Sequence, residues 1–436
     1  MPGYKVIHDS VHGTVKVDGV FLKLLERPEV QRLHGIHQLG LAHLVFPGAN
    51  HTRLEHSLGT YHVASKLCSN LDIDEHDRME VRAAAMLHDI GHTPFSHTLE
   101  EVLVHKLGKD HMDVSKEIIV GDFTPYQGRD QEVVGDIKSL PCVLEDADLS
   151  PKNIAGLVTS AQRQELGQSI LTIEGEQAHF GKDNFLNQII SGPLDVDQMD
   201  YLLRDAYYTG VAHGTIDTDR LFQTIVIHHG DLVVDKSGLV AVEGLLVARS
   251  LMYTSVYFHK TVRIAEMMMC KAVEAAPESI LQDLFVDTDC SLSSKLALIE
   301  GVSSRIVTML RYRRLYKKAY TLPMMNMNES QASALIPLVK YDNRKTKERE
   351  IADRAGVSVD DVILDVPEKA LLLSEPRIGE TDVGILDRGR VRPLSRYSPL
   401  AKAIQSRGVH DWAVMVSAPA NHRDAVEKVA YKVLFS

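Results

Sequence analysis

The stretch "MLHDIGHTPFSH" (86–97) sets His88, Asp89, His92 and His97 beside an apolar run. Imidazoles and carboxylates in such density serve two kinds of chemistry, metal coordination and proton transfer near neutral pH. A lone histidine there would read as a hydrogen-bonded core residue. A vicinal His-Asp in an apolar setting is harder to place, because an unpaired carboxylate costs several kcal/mol unless it meets a cation or a metal. Two further groups carry the same chemistry, His56 in "HTRLEHSLG" and Asp197 in "DVDQMDYLLRD". Two imidazoles and two carboxylates make a borderline-hard donor set suited to one divalent transition metal, Mn, Fe, Co, Ni or Zn. Four such ligands leave positions open for water and a phosphate oxygen.

The elements that must position these groups are mostly helical from about residue 20 to 275. Val81, Ala84, Ala85, Leu87 and His88 lie in a segment opened by "DRME", where Asp77 and Glu80 have capping-box spacing, and closed by Gly91. "HTPFSHTLEEVLVHKLG" predicts a second helix with Thr93 as cap, Pro94 at its first position and Gly108 past its end. Asp197, Tyr201 and Asp205 fall at i, i+4 and i+8, one helix face along which a nucleotide could lie; the acids Asp195 and Asp200 fit a solvent face. "DLVVDKSGLVAV" (231–242) predicts a hairpin about Lys-Ser-Gly, "GTVKVDG" a short strand, and "RYRRLYKKAY" (311–320) a basic helix. Beyond residue 320, "TLPMMNMNESQ" reads as loop and "YDNRKTKEREIADRAG" as helix. "DDVILDVPE", "DVGILDRG" and "HDWAVMVSAP" read as strands. The expected fold is mainly α: a helical core over 1–320 and a smaller α+β region over 321–436.

Of the 436 residues, 44% are hydrophobic and 25% charged, ordinary for a soluble globular protein. No apolar run approaches the roughly 20 residues that cross a bilayer, and the first residues lack a signal-peptide core, so a cytoplasmic protein without membrane contact is expected. Cys68, Cys142, Cys270 and Cys290 show no paired spacing. A net charge of −11 argues against a protein that coats nucleic acid, although a local basic pocket could hold a small polyanion.

His56, His88-Asp89 and Asp197, in that order, resemble the H…HD…D signature of HD-domain metal-dependent phosphohydrolases. "HDSVHG", "PEVQRLHGIHQLG", "VFPGANHTRLEHSLG", "LHDIGHTPFSH" and "DVDQMDYLLRDAYYTGV" resemble its dNTP triphosphohydrolase branch, over residues 5–275 and more faintly beyond. The resemblance implies His56, His88, Asp89 and Asp197 as metal ligands. It implies His92, His97, His111 and Arg53 along the phosphates, with His97 as general acid or base and Glu100 as its acidic partner. Gln38, Leu39, Tyr201, Asp205 and Tyr257 would hold the sugar and exclude a ribose hydroxyl, and Arg53, Arg249 and Lys260 the phosphates, with Mg on the substrate. Gln198 stands where the family often has a phosphate-binding lysine. Lys5, Val6, Glu26, Gln31 and His34 would form a guanine-reading effector site at a subunit interface, helped by Arg344, Lys345 and Lys347. His34 replaces an arginine there, so a permanent cation gives way to an imidazole. The implied protein is a homotetramer or homodimer that converts dNTP and water to deoxynucleoside and tripolyphosphate. The alternatives are an HD enzyme acting on another nucleotide or phosphodiester, and a nucleotide-sensing or single-strand-binding protein.

Overall fold

The computed structural model describes residues 3–126, 128–135, 137–159, 184–367, 383–405 and 411–435. The fold is mainly α with a smaller α+β region. An N-terminal hairpin, β1 (Tyr4–Asp9) and β2 (Gly13–Asp18), leads into helices. Helix Arg53–Asn70 opens on a capping box from Thr52 and Glu55 and packs against helices Glu75–Leu87 and Val196–Thr209. It is the central strut: His56, Ser57, Thr60, Tyr61 and Leu67 are all buried on it. One apolar core runs from Val15 on β2 through Leu54, Leu87 and Met199 to Met268.

Antiparallel β3 (Ile225–His228) and β4 (Asp231–Asp235) are extended by β7 (Gly384–Asp387), parallel to β4, and then by antiparallel β8 (Arg390–Pro393). Residues near the C-terminus thereby complete a sheet begun in the helical half. The second sheet, in the order β5 (Lys317–Pro323), β9 (Trp412–Ala418), β6 (Ile363–Asp365), carries helices Tyr341–Ala355 and Arg423–Phe435. Between them lies a second apolar cluster that includes Leu335, Ile351, Val416 and Val433.

Several local expectations are corrected. The hairpin turns at His229-Gly230, where both residues have positive φ, and not at Lys-Ser-Gly. Residues Leu239–Met252 are helix, because Asp235 caps a short 3-10 turn that leads straight into an apolar helical face. The stretch 236–257 is long and apolar enough by length and composition to cross a membrane, against the expectation that no apolar run approaches that length; half of its most apolar 18 residues are buried in the fold. Residues 311–320 are not one helix. The helix ends at Arg311, Arg313 takes φ 53°, and Lys317 begins the strand β5. Within the expected loop, Asn328 and Gln331 form a capping box that starts helix Glu329–Leu335. Helix Glu75–Leu87 begins three residues earlier than "DRME" suggests, because Asp74 accepts from Asp77 N at 2.8 Å and is the cap.

The largest local departure lies at the chemically dense stretch. Thr93 and Pro94 do not start a helix, because Phe95 (φ 60°) and Ser96 (φ 56°) are held left-handed. Tertiary hydrogen bonds impose this: Asp289 Oδ1 accepts from Phe95 N at 2.7 Å, and Ser96 Oγ donates to His37 O at 2.6 Å. A 3-10 turn, Ser96–Leu99, follows, and the α-helix runs over Glu100–Leu107 with Gly108 as its left-handed end.

Candidate metal centre and phosphate site

Three long-range elements bring the signature residues together. His56 comes from the first turn of helix Arg53–Asn70, His88-Asp89 from the end of helix Glu75–Leu87, and Asp197 from the first turn of helix Val196–Thr209. His56 Nε2 lies 3.2 Å from His88 Nε2 and 3.0 Å from Asp197 Oδ1, and His88 Nε2 lies 3.7 Å from the same oxygen. Donors about 2.1 Å from a shared ion stand about 3.0–3.4 Å apart, so this set fits a divalent metal. Asp89 Oδ2 is 3.6 and 3.4 Å from the two imidazole nitrogens and also receives Arg53 Nη1. Burial opposes charge on His56, yet Asp197 and Asp200 raise it to about 10. Burial likewise opposes ionisation of Asp197, and His56 and His88 hold it low. The field at this point favours a cation.

Beside it, His92 and His111 stack with ring centres 4.0 Å apart, and His97 meets both edge-on. Ring nitrogens of these three lie close enough to offer a second metal-holding set. Glu100 ties the cluster: Oε2 lies 2.8 Å from His97 Nδ1, and Oε1 pairs with His111 Nδ1. The i, i+3 spacing of His97 and Glu100 survives the change from α to 3-10 because that turn repeats every three residues. Burial would raise Glu100, but His111 and His97 keep it well below its usual range. Burial would lower His111, and Glu100 raises it. Burial, Arg53 and His111 together push His92 well below its usual value, so it stands as a neutral base. His97 is the exposed member, its side chain 63% accessible.

Arg53, 3% exposed, forks between Asp89 and Ser96 Oγ, the latter at 2.8 Å. On the neighbouring face Asp205 receives two groups, His51 Nε2 on Oδ1 and Tyr257 Oη on Oδ2, each at 2.7 Å. Tyr257 ends a π turn, Tyr253–Tyr257, and its ring meets Tyr201 edge-on at 6.0 Å. Gln38 is buried with Oε1 unpartnered among the described residues, and Leu39 is half-buried against the core. Arg249 is 1% exposed, yet none of its three guanidinium nitrogens has a hydrogen-bond partner among the described residues; the Tyr253 ring lies 5.7 Å away. Tyr201 feels the charges of both Arg249 and Asp197. Gln198 turns away from a phosphate role, donating to Gly192 O and Asp195 Oδ2. Lys260 pairs with Asp411 at 3.3 Å and lines a groove with Arg313, Lys317 and Lys318.

The sequence profile of the HD domain matches residues 53–140, and that of the HD associated region matches residues 216–435. The chain belongs to the HD-domain family. An uncharacterised protein of Methanocaldococcus jannaschii is 32% identical over 427 residues, 95% of this chain and 79% of that protein. The deoxynucleoside triphosphate triphosphohydrolase SAMHD1 homolog of Dictyostelium discoideum is 28% identical over 72% of this chain, which spans 59% of that protein's length. A hypothetical protein from Aquifex aeolicus has the same fold, with a TM-score of 0.68 at 25% identity over 98% of this chain and 99% of its own. HD domains bind divalent metals, and membership supports a hydrolase for this HD-domain protein.

Sequence reasoning missed Asp200, Arg204, His12, His51 and Asp289. Asp195 and Asp200, expected to face solvent, are buried: Asp195 caps the helix, accepting from Gln198 N, and Asp200 accepts from His56 Nδ1 at 2.7 Å. The signal was present in "DQMDYLLRD", where Asp200 and Arg204 stand at i, i+4, the spacing of an ion pair. The basic residues expected to help the effector site are each ion-paired within the chain. Arg344 is taken by Glu101, Lys345 by Glu274 and Glu348, and Lys347 by Glu350. Lys5, Val6, Glu26, Gln31 and His34 are exposed, with Lys5 Nζ on Glu26 Oε1 at 2.5 Å and Gln31 Nε2 donating to Leu25 O.

Proposed function

We propose that this protein is a metal-dependent dNTP triphosphohydrolase, cleaving dNTP with water to deoxynucleoside and tripolyphosphate. The observation that carries the reading is Arg249. A buried guanidinium without a partner is an uncompensated charge costing several kcal/mol, and a polyanion within its reach supplies the missing acceptors. The activity for which the Dictyostelium SAMHD1 homolog is named, deoxynucleoside triphosphate triphosphohydrolysis, supports the same substrate class.

His56, His88, Asp89 and Asp197 would hold the ion, which when bound supplies charge neutralisation at the phosphorus and a more acidic water. Arg53, preformed by Asp89 and Ser96, orients the phosphate chain from one side and Arg249 from the other. His97, at the open edge and hydrogen-bonded to Glu100, delivers a proton to the 5′ oxygen as it leaves; Glu100 orients its Nδ1 so that Nε2 faces the substrate. The buried carboxylate of Asp205, aligned by His51, accepts from the sugar 3′-hydroxyl with Gln38 Oε1 as a second acceptor. Tyr257 occupies the room a 2′-hydroxyl would need. Lys260 would add charge toward the substrate phosphates, and Lys5, Val6, Glu26, Gln31 and His34 would serve an effector nucleotide between subunits of a homo-oligomer.

A scan of all dNTPs and NTPs with Mn, Fe, Co, Ni and Zn, reading products by anion-exchange chromatography, tests the reading. Tripolyphosphate released from dNTPs is the expected result. Release of orthophosphate or pyrophosphate instead assigns the site to another phosphoester, and binding without turnover under every condition assigns it to nucleotide sensing.

A further inference from the structure

Behind His56 lies a buried polar cluster that the proposed reaction does not use. Asp200 accepts four hydrogen bonds, about as many as a carboxylate has lone pairs to offer. Oδ1 takes His12 Nε2 at 2.6 Å and Arg204 Nη2 at 3.0 Å; Oδ2 takes His56 Nδ1 at 2.7 Å and Arg204 Nε at 2.9 Å. Arg204 continues through Nη1 to Asp9 Oδ2 at 2.8 Å, and Asp9 Oδ1 accepts the backbone amides of Val11 and His12. Asp9 ends β1 and His12 lies in the turn that follows it, far from helix Val196–Thr209 in sequence. The side chains of Asp200, Arg204 and His56 are fully buried, and that of His12 is 10% exposed.

Space for this cluster is built into helix Arg53–Asn70. A Cβ added at Gly59 would overlap Asp200 Oδ1 and Arg204 Nη2. Gly59 is one turn beyond His56, so the helix gives up a side chain where the carboxylate must approach the imidazole from behind.

An acceptor-only carboxylate at Nδ1 keeps the proton on that nitrogen, so that Nε2, which faces His88 and Asp197, is the one left to bind a metal. We infer that His12 is a positioning residue for His56, acting through Asp200, so that the N-terminal hairpin turn is a structural part of the metal centre. His12 holds one oxygen of Asp200 while His56 uses the other. Without that donor the carboxylate is held by Arg204 alone on Oδ1, the side away from His56, and the plane it offers the imidazole loses one of its two fixing groups. Arg204 fastens the same carboxylate to Asp9, so turn and carboxylate are held as one unit.

The inference rests on the reading of His56 as a metal ligand, and cobalt(II) titration followed by visible absorption separates the two. Wild-type protein is expected to bind Co(II) with a d–d spectrum that is lost in Asp197→Ala. His12→Phe, which keeps a ring against His62 but removes the donor, is expected to weaken Co(II) by about 10- to 100-fold and to alter the band positions, the usual effect of losing outer-shell support. His12→Gln, which restores a donor, is expected to recover most of the affinity. His76→Ala, on the exposed face of helix Glu75–Leu87, is expected to keep wild-type values. Where His12→Phe does not fold by circular dichroism, His12→Asn, too short to reach Asp200, takes its place with the same expected loss. An unchanged affinity and spectrum in the donor-free variant, with Asp197→Ala metal-free, overturns the role of His12 and leaves the metal reading standing. A wild-type protein that binds no Co(II) overturns both.

Discussion

Removing Arg53 should expose how much of the site's stability is electrostatic. Its guanidinium is buried, and its two contacts are the Asp89 carboxylate and Ser96 Oγ. Burial works to raise Asp89, and Arg53 is the foremost group holding it well below its usual value, ahead of His88 and His92. Arg53→Ala in metal-free buffer leaves a buried carboxylate short of its main cation, a change that costs about 3–5 kcal/mol. Arg53→Lys keeps the charge but not the fork, losing the Ser96 bond for about 0.5–1.5 kcal/mol. Asp89→Asn on the Arg53→Ala background removes the stranded charge, so the double mutant should recover about 2–3 kcal/mol relative to additivity. Urea unfolding of wild type, Arg53→Ala, Arg53→Lys, Asp89→Asn and the double mutant near pH 7.5 gives these differences. A loss below about 1 kcal/mol for Arg53→Ala, or additivity within about 0.5 kcal/mol, would refute the claim that Arg53 and Asp89 hold each other in place.

Other consequences can be measured separately. Asp89→Ala and Asp197→Ala should strip the bound ion and abolish turnover; metal analysis showing stoichiometric ion and near-native rate would remove them as ligands. His97→Ala should retain metal and lower kcat by about 10²- to 10⁴-fold, the range for losing a general acid; a loss under about fivefold makes it structural. Tyr257→Ala should raise GTP turnover relative to dGTP, and Tyr257→Phe, losing a buried bond to a carboxylate, should cost about 1.5–3 kcal/mol in unfolding. The hydrogen bond from His37 Nδ1 to Asp289, 2.5 Å long, raises His37. A raised histidine stabilises the fold fully below its unfolded value of about 6.5, and that contribution disappears as pH rises through the folded value. Thermal unfolding of wild type from about pH 6 to 9 should therefore decline more than that of His37→Gln, and parallel curves would show that the pair contributes nothing.

Periodicity and composition made the helical class legible, because helix Arg53–Asn70 and helix Val196–Thr209 carry their own caps and apolar faces. The donor residues were legible as types in a fixed order, and the geometry brings His56, His88 and Asp197 within donor range of one another. What local reasoning could not see was set by distant partners. Thr93-Pro94 reads as a helix start, but Asp289, nearly two hundred residues away, holds Phe95 and Ser96 left-handed. The Lys-Ser-Gly turn was overridden in the same way by pairing of β4 with β3 and β7. Asp200 looked like a solvent-facing acid because its three donors come from a hairpin turn, another helix and its own next turn.

The central claim is cleavage between the α-phosphorus and the sugar oxygen at this metal centre. Hydrolysis of dGTP in ¹⁸O-enriched water, with products separated and weighed by mass spectrometry, tests it directly. Attack at the α-phosphorus places one ¹⁸O atom in tripolyphosphate and leaves the deoxynucleoside 5′-hydroxyl unlabelled, and Asp197→Ala produces neither. Label in orthophosphate or pyrophosphate, accompanied by dGDP or dGMP, would contradict the account.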